Sequence, residues 1–326
     1  MKEVEMKMLE RAKALLESGE VARVIGWKKG DFCFDPSPAS FETVEELENG
    51  FVYNYFCGAN LSKYLIEKSK KEGKTAVFLK PCDTYSFNQL VKEHRIKREN
   101  VYVIAIECMA KLDIEKIKAK GVSAIKAVEV VDKEVKVTTA YGEETLYKPD
   151  VVLTKCATCQ KTAQVMDEEI VIHERPAREV DRFAEVNALE AMTEDERFAF
   201  WREQLSKCIR CNACRNVCPA CSCVKCVFDN PASGIAAKAN DDKFEEQMFH
   251  IIRAFHVAGR CTDCGECTRV CPQNIPLHLL NRKFIKDIDG LYGEYQAGET
   301  SEGKTPLTSY TEGDTEPNDI FKGEAK

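Results

Sequence analysis

Short, nearly unbroken apolar stretches alternate with amphipathic stretches over the first 120 residues. Val21–Ile25, Thr75–Leu79 and Val101–Ile106 are apolar enough to predict strands covered on both faces. Apolar positions recur at helical spacing over residues 3–17, 61–71, 84–94 and 112–120. This alternation of strands and helices predicts an N-terminal α/β domain whose sheet is mainly parallel, with right-handed crossovers.

Further elements follow from local patterns. Strands are also predicted at Phe32–Phe34, Phe51–Phe56 and Val151–Thr154, and a loop at Pro36–Pro38. A hairpin is predicted from Ala124–Val131 and Glu134–Thr139, with Glu143–Tyr147 as an extension. Nearer the C-terminus, Thr193 and Glu196 form a capping-box pattern that opens a helix, and Phe244–Ala258 predicts another helix.

Two copies of one cysteine pattern are the strongest chemical signal. Cys208–Pro219 and Cys261–Pro272 each read C-x-x-C-x-x-C-x-x-x-C-P, the spacing of a bacterial-type 4Fe–4S run. In two-cluster ferredoxins the cysteine before proline serves the other cluster. Cluster 1 is therefore assigned to set 1, which is Cys208, Cys211, Cys214 and Cys271. Cluster 2 is assigned to set 2, which is Cys261, Cys264, Cys267 and Cys218.

These motifs and the composition predict the organisation of the chain. An α/β domain spans 1–164, a helical connector 165–206, and an expanded ferredoxin-like domain with two 4Fe–4S clusters 207–297, with a helix between its motifs. Residues 298–326 are rich in Gly, Thr, Ser, Glu and Pro without apolar periodicity, which predicts a disordered acidic tail.

Composition excludes several classes of function. The net charge is −7, which argues against a general nucleic-acid binder. Of 17 cysteines, 13 lie from Cys156 to Cys271, which indicates metal binding and not a disulfide framework. The N-terminus has no signal-peptide pattern, and no apolar run approaches the roughly 20 residues that span a bilayer. A cytoplasmic protein without a membrane span is expected.

Four further cysteines fall where strands meet loops, and we call them set 3: Cys82, Cys108, Cys156 and Cys159. Parallel sheets bind ligands beyond the carboxyl ends of their strands, so these thiols are candidates for one site. A third 4Fe–4S cluster, a zinc site and buried structural thiols are the alternatives. Cys221, Cys223 and Cys226 follow Cys218 closely and are candidates for additional ligands or for tuning the neighbouring cluster.

Other residues give weaker signals. Gly58 and Asn60 lie between a predicted strand and helix, where either an ordinary turn or a flavin or nucleotide phosphate cradle would fit. The five histidines show no ligand spacing and are expected to be solvated or packed. Arginines surround both cluster motifs, either to offset thiolate charge or as solvated surface.

Four stretches carry a resemblance to known proteins: Lys80-Pro-Cys82-Asp83, Glu107-Cys108, Cys156-x-x-Cys159 and Cys218-Pro-Ala-Cys221-Ser-Cys223. Over roughly residues 50–283 the chain resembles the beta subunits of deazaflavin-coenzyme-reducing hydrogenases and formate dehydrogenases. It is also similar to the beta subunit of cytoplasmic sulfhydrogenase and to the related iron–sulfur subunit of anaerobic sulfite reductase. The resemblance implies an electron-transfer subunit with 4Fe–4S clusters, favours a third cluster at set 3, and suggests FAD, for which Gly58, Asn60 and Lys80 are the candidate residues.

Three functions are therefore weighed. The favoured hypothesis is a relay subunit of a multisubunit oxidoreductase, with a formate dehydrogenase, a nickel–iron hydrogenase or a heterodisulfide-reductase-type flavoprotein as catalytic or flavin-bearing partner. The alternative is an FAD-containing catalytic beta subunit that exchanges hydride with a deazaflavin or nicotinamide coenzyme and feeds single electrons to the clusters. A cluster-bearing scaffold or redox sensor is the third.

Overall fold

The N-terminal half is built on a mixed five-stranded sheet. The computed structural model describes residues 1–160, 163–171, 180–230, 243–307 and 309. The strands of the large sheet are β1 (Arg23–Lys28), β2 (Ser37–Phe41), β3 (Thr75–Leu79), β4 (Val101–Ala105) and β8 (Glu169–Ile170), in the order β2-β1-β3-β4-β8. All neighbours pair in parallel except β1 and β2. The predicted α/β fold with a mainly parallel sheet is therefore present.

The core of this half lies around the central strands. Every residue of β3 is buried, as expected for a strand covered on both faces. The helix α1 (Lys2–Glu17) buries Met8, Ala12 and Leu15, which share one helical face, against the same core. Behind β3, α4 (Pro81–Lys92) begins directly after Lys80, so Cys82 lies in its first turn at the carboxyl end of the strand.

A second sheet is antiparallel and carries the predicted hairpin. It consists of β5 (Ile125–Val131), β6 (Glu134–Thr139) and β7 (Glu143–Tyr147), in that order. The predicted strand at Val151–Thr154 is wrong, because two one-turn helices meet there, α6 (Lys148–Val151) and α7 (Thr154–Ala157). Only Val152 makes a bridge, to Leu112. Cys156 is thereby presented from α7.

Three other local predictions are corrected by long-range contacts. The segment Phe51–Phe56 has a single bridge, from Phe51 to Lys28, and its Tyr53 N–H donates to Glu5 Oε1 over 2.9 Å. The predicted helix over 61–71 is reduced to a 3-10 turn, Ser62–Tyr64, and α3 (Leu65–Lys68), and just after α3 the carbonyl of Ser69 accepts from Asn100 Nδ2 at 2.8 Å. No strand forms at Phe32–Phe34.

The C-terminal half is helical. Its helices are α8 (Ala184–Glu190), α9 (Glu194–Leu205), α10 (Ala213–Val217), α11 (Lys243–Val257), α12 (Glu266–Arg269) and α13 (Leu277–Tyr292). The remaining helices of the N-terminal half are α2 (Val44–Gly50) and α5 (Ile114–Ala119). The capping box at Thr193 and Glu196 is confirmed at the start of α9. Buried Leu205, Phe249 and Leu277, from α9, α11 and α13, pack around the two cluster motifs.

The chain keeps tertiary contacts beyond the predicted boundary at residue 298. Asn88 Nδ2 of α4 donates to the Glu299 carbonyl over 3.4 Å, and Gly298 lies so close to the Tyr85 carbonyl that a Cβ atom would clash. Of the predicted tail, residue 308 and residues 310–326 lie outside the described residues. Within the described ranges, no helix has the length and apolar character needed to cross a bilayer.

Candidate iron–sulfur sites

The two cysteine loops repeat the same backbone conformation. Arg210 and Asp263 occupy equivalent positions and have φ of 52° and 55°, while Asn212 and Gly265 have φ of 61° and 66°. Positive φ is uncommon for residues other than glycine and persists where the surroundings enforce it. In both loops the third cysteine then enters a short helix, α10 or α12. The repeated left-handed residues curl each loop so that its cysteines face inward.

Set 1 surrounds one cavity. All four of its cysteines line this cavity together with Phe249, His250, Ile275 and Leu277. Cys214 is buried and Cys211 is exposed, so the cavity lies at the protein surface. The backbone N–H of Arg210 donates to Cys208 Sγ over 3.4 Å. Four thiols around one cavity form the donor set of a 4Fe–4S cluster, so the residues fit that group.

Set 2 comes together across the two motifs. The three cysteines of the second motif each interact electrostatically with Cys218 from the end of the first. Burial is the largest cause of their raised pKa values, and the pKa of Cys267 rises to about 11. Asn281 Nδ2 donates to Cys267 Sγ over 3.7 Å. This convergence fits a second cluster held crosswise, with Cys218 as its fourth ligand.

Set 3 also surrounds one cavity, of about 580 Å³. Cys82 reaches the cavity from the start of α4, and Cys108 reaches it from the loop after β4. Cys156 comes from α7, and Cys159 lies two residues after that helix. Burial raises the pKa of Cys82 and raises that of Cys156 to about 11. The four thiols are far apart in sequence, yet they share one site, so they fit a cluster as well.

The three sets are neighbours through set 2. Cys264 of set 2 lines the cavity of set 3. Cys267 and Cys218 of set 2 both interact electrostatically with Cys214 of set 1. Set 2 therefore adjoins both of the other sets.

The three extra cysteines have different surroundings, although Cys221 and Cys223 both interact with Lys63 and Arg260. Cys221 packs beside Cys218, and a hydrogen bond between the two thiols lowers the pKa of Cys218 to about 5. Cys223 is exposed and interacts with Arg260, whereas Cys226 interacts with Arg215. Within the part of the chain that the structure describes, no group of three or more His, Cys, Asp or Glu side chains is arranged to hold a single metal ion.

The candidate flavin residues instead form part of the contact between the two halves. The backbone N–H of Asn60 donates to Glu266 Oε2 over 3.1 Å, and its side chain donates to Ser86 Oγ over 2.9 Å. The Gly58 carbonyl accepts from Lys155 Nζ over 2.7 Å. A phosphate cradle requires free N–H donors at a helix start, and these groups are already engaged.

Lys80 is also committed to the protein interior. It is 1% exposed, its Nζ donates to the Ala59 carbonyl and to Asp83 Oδ2 at 2.7 Å each, and it lies 4.6 Å from the centroid of the Trp27 ring. Gly58, Asn60 and Lys80 therefore do not fit a flavin phosphate, and the ordinary-turn interpretation agrees with their contacts.

A buried charge cluster between set 2 and set 3 was not foreseen from the sequence. Glu266, between Cys264 and Cys267, forms ion pairs with Lys155 and with Arg269, whose guanidinium is 2.8 Å from the carboxylate. Burial alone would raise the pKa of Glu266, but the charges of Lys155 and Arg269 outweigh it and hold the pKa well below the usual range. The sequence did contain a signal for this charge cluster, because ionisable residues lie inside or beside both cysteine motifs.

Comparison with known proteins places the two cysteine motifs within a 4Fe–4S family match and finds relatives over most of the chain. Residues 204–275 match the 4Fe–4S dicluster domain family. The chain is 23% identical to the F420-dependent formate dehydrogenase subunit beta of Methanocaldococcus jannaschii, over 86% of this chain and 88% of that protein. It is 25% identical to the F420-dependent formate dehydrogenase 1 subunit beta of Methanococcus maripaludis, over 66% of this chain and 72% of the relative. The chain is related to these beta subunits.

Two further comparisons concern parts of the chain. A putative ferredoxin-3 of Sinorhizobium fredii is 34% identical over 79 residues, which are 24% of this chain and 75% of that protein. A structure of the F420-reducing [NiFe] hydrogenase complex from Methanosarcina barkeri, derivatised with xenon, has a chain 17% identical, with a TM-score of 0.36, over 48% of this chain and 58% of that one. The expected resemblance to the beta subunits is confirmed by the two formate dehydrogenase relatives.

Proposed function

We propose that this chain is the iron–sulfur subunit of a cytoplasmic formate dehydrogenase- or hydrogenase-type complex and relays single electrons through three 4Fe–4S clusters. The observation that carries this proposal is the adjacency of the three cysteine sets: Cys264 of set 2 lines the cavity of set 3, and Cys267 and Cys218 of set 2 interact with Cys214 of set 1. A relay requires adjacent redox centres, and three neighbouring sites supply them.

Set 1 and set 3, the two neighbours of set 2, both reach the protein surface. At set 1, Cys211 is exposed and the neighbouring Ile209 is 61% exposed. At set 3, the rim residues Asp132, Lys133 and Ala157 are exposed. One of these two sets can therefore face an electron donor while the other faces an acceptor, which supports a relay between two partners.

The nature of the partners follows from the relatives. Two are named as beta subunits of F420-dependent formate dehydrogenases, so a catalytic subunit is the expected partner, and a flavin-bearing subunit is a second. The alternative of a catalytic FAD subunit needs a flavin site, which Gly58, Asn60 and Lys80 do not offer.

The protein supplies positive charge and a buried environment for the clusters. The clusters themselves supply one-electron transfer. Arg253 is 3% exposed, and its guanidinium interacts with Cys218, Cys221, Cys267 and Cys214, so it serves sets 1 and 2 together. Burial alone would lower the pKa of this guanidinium, and the surrounding sulfur atoms raise it well above its ordinary value. A permanent cation at this point offsets the negative charge of clusters and thiolates.

Metal and flavin analysis of the full chain, purified anaerobically, tests the proposal. Three clusters predict about twelve iron and twelve sulfide per chain, with no stoichiometric flavin. About eight iron would remove the third cluster, and zinc in place of iron would assign set 3 to a structural metal site. Stoichiometric FAD in the isolated chain would contradict the pure relay and favour the catalytic alternative.

A further inference from the structure

His250 is a buried side chain whose two ring nitrogens have no hydrogen-bond partner among the described residues. It is 2% exposed and comes from α11, which packs on α9 and α13. Its ring lines the cavity of set 1, beside Cys208, Cys211, Cys214 and Cys271. The unsatisfied nitrogens therefore belong to a residue at the wall of a candidate cluster site.

Such a residue requires an explanation, because a polar group buried without a partner destabilises the folded state. Leucine or phenylalanine would pack there without this cost, as Phe249, Ile275 and Leu277 do around the same cavity. Burial first, then the positive charges of Arg253 and Arg210, lower the pKa of His250 to about 3. A neutral imidazole carries one N–H and an imidazolium carries two, so the ring has an N–H donor in either form.

We infer that His250 donates its ring N–H to a sulfur of cluster 1 and so tunes the potential of that cluster. The inference rests on the proposed function, since it needs a cluster at set 1. Cluster sulfur is a hydrogen-bond acceptor, and hydrogen bonds to sulfur are among the features that set cluster potentials. His250 is then a positioning and tuning residue for cluster 1, and its N–H finds in the cavity an acceptor that the described residues do not provide.

The expected effect has a definite direction. Reduction adds negative charge to the cluster, and a hydrogen-bond donor stabilises the more negative state. Removing the N–H should therefore make cluster 1 harder to reduce and leave clusters 2 and 3 close to their original potentials. A hydrogen bond to a charged acceptor corresponds to roughly tenfold in an equilibrium ratio, so about a tenfold lower reduced-to-oxidised ratio is expected for cluster 1 at a fixed potential.

The test uses variants of the full chain in anaerobic redox titrations followed by electron paramagnetic resonance. His250→Phe and His250→Leu remove the donor, whereas His250→Gln keeps an N–H. His256→Leu is the matched control, because His256 lies on the same helix and is exposed. The cluster 1 signal is identified beforehand by its loss in Cys214→Ala.

The outcomes separate this inference from the proposed function. A more negative cluster 1 potential in both donor-free variants, with recovery in His250→Gln and none of this in His256→Leu, supports the inference. Unchanged potentials would overturn it while leaving the relay intact. If the wild-type chain lacks a cluster at set 1, the proposed function fails first.

Two additional results decide the remaining cases. If His250→Phe and His250→Leu lose four iron atoms while His250→Gln keeps them, the N–H is needed for assembly, which supports the inference; loss in all three overturns it. Protein labelled with ¹⁵N-histidine should show a weak nitrogen coupling to the reduced cluster. A coupling strong enough for an iron–nitrogen bond would overturn the donor role.

Discussion

Replacing Cys156 with alanine should remove about four iron atoms and four sulfides per chain, lowering the iron content from about twelve to about eight. Cys156 is buried and lines the cavity of set 3, and a 4Fe–4S cluster depends on four thiolates. Clusters 1 and 2 should remain, because the cysteines of sets 1 and 2 come from the other half of the chain. The measurement is iron and sulfide analysis with integration of the paramagnetic signals.

Cys57→Ala is the matched control for this variant. Cys57 is also fully buried in the N-terminal half, but its thiol contacts the Val52 carbonyl and Asn54 and does not line the set 3 cavity. It should keep all three clusters. A Cys156→Ala protein with the wild-type iron content, or equal losses in the two variants, would refute the assignment of set 3.

The large sheet could be predicted from the sequence because its central strands are almost entirely apolar. The stretch Val101–Ile106 is nearly all apolar, and β4 covers Val101–Ala105. In contrast, β2 was missed since it contains Pro38, and proline normally argues against a strand. It is tolerated here because β2 lies at the edge of the sheet, where Pro38 is paired with Trp27 of β1.

The candidate sites also include some that the sequence could predict and some that it could not. Fixed spacing let the sequence assign sets 1 and 2, and that assignment stays a prediction. The cysteines of set 1 line one cavity, and those of the second motif in set 2 interact with Cys218. The grouping of set 3 needed the topological rule for parallel sheets as well, because Cys82 and Cys159 lie in different elements. The pairing of Lys155 with Glu266 spans 111 positions, and His250 becomes notable only once it is buried without partners. No local pattern contains that information.

The charge cluster around Glu266 should dominate the stability of the contact between the two halves. Glu266→Ala leaves the buried ammonium of Lys155 and the partly buried guanidinium of Arg269 without their carboxylate. Breaking a buried ion pair in this way costs roughly 3–5 kcal/mol. The Asn60 N–H also loses its acceptor. We expect anaerobic urea unfolding, followed by cluster absorbance, to shift to clearly lower urea.

Two variants test whether the unpaired charges cause this loss. Glu203→Ala removes an exposed carboxylate of α9 that lies 3.7 Å from the ammonium of Lys207, just after that helix. This change should lower the free energy of unfolding by less than about 1 kcal/mol. Combining Glu266→Leu with Lys155→Met removes both members of the closest pair and should recover part of the stability. An unfolding midpoint equal to that of the wild type in Glu266→Ala would contradict the importance of this cluster.

The same carboxylate predicts how the stability of this contact depends on pH. The pKa of Glu266 lies below its value in the unfolded chain, about 4.3, so the folded state binds fewer protons than the unfolded state in acid. The stabilisation is therefore complete above about pH 5 and is lost as the pH falls below about 4.3 toward the folded pKa. Urea unfolding between pH 4 and pH 7 should show a loss of stability at the acid end that is smaller in Glu266→Gln, which carries no titrating group at this position. Parallel profiles for the wild type and Glu266→Gln would show that the acid sensitivity arises elsewhere.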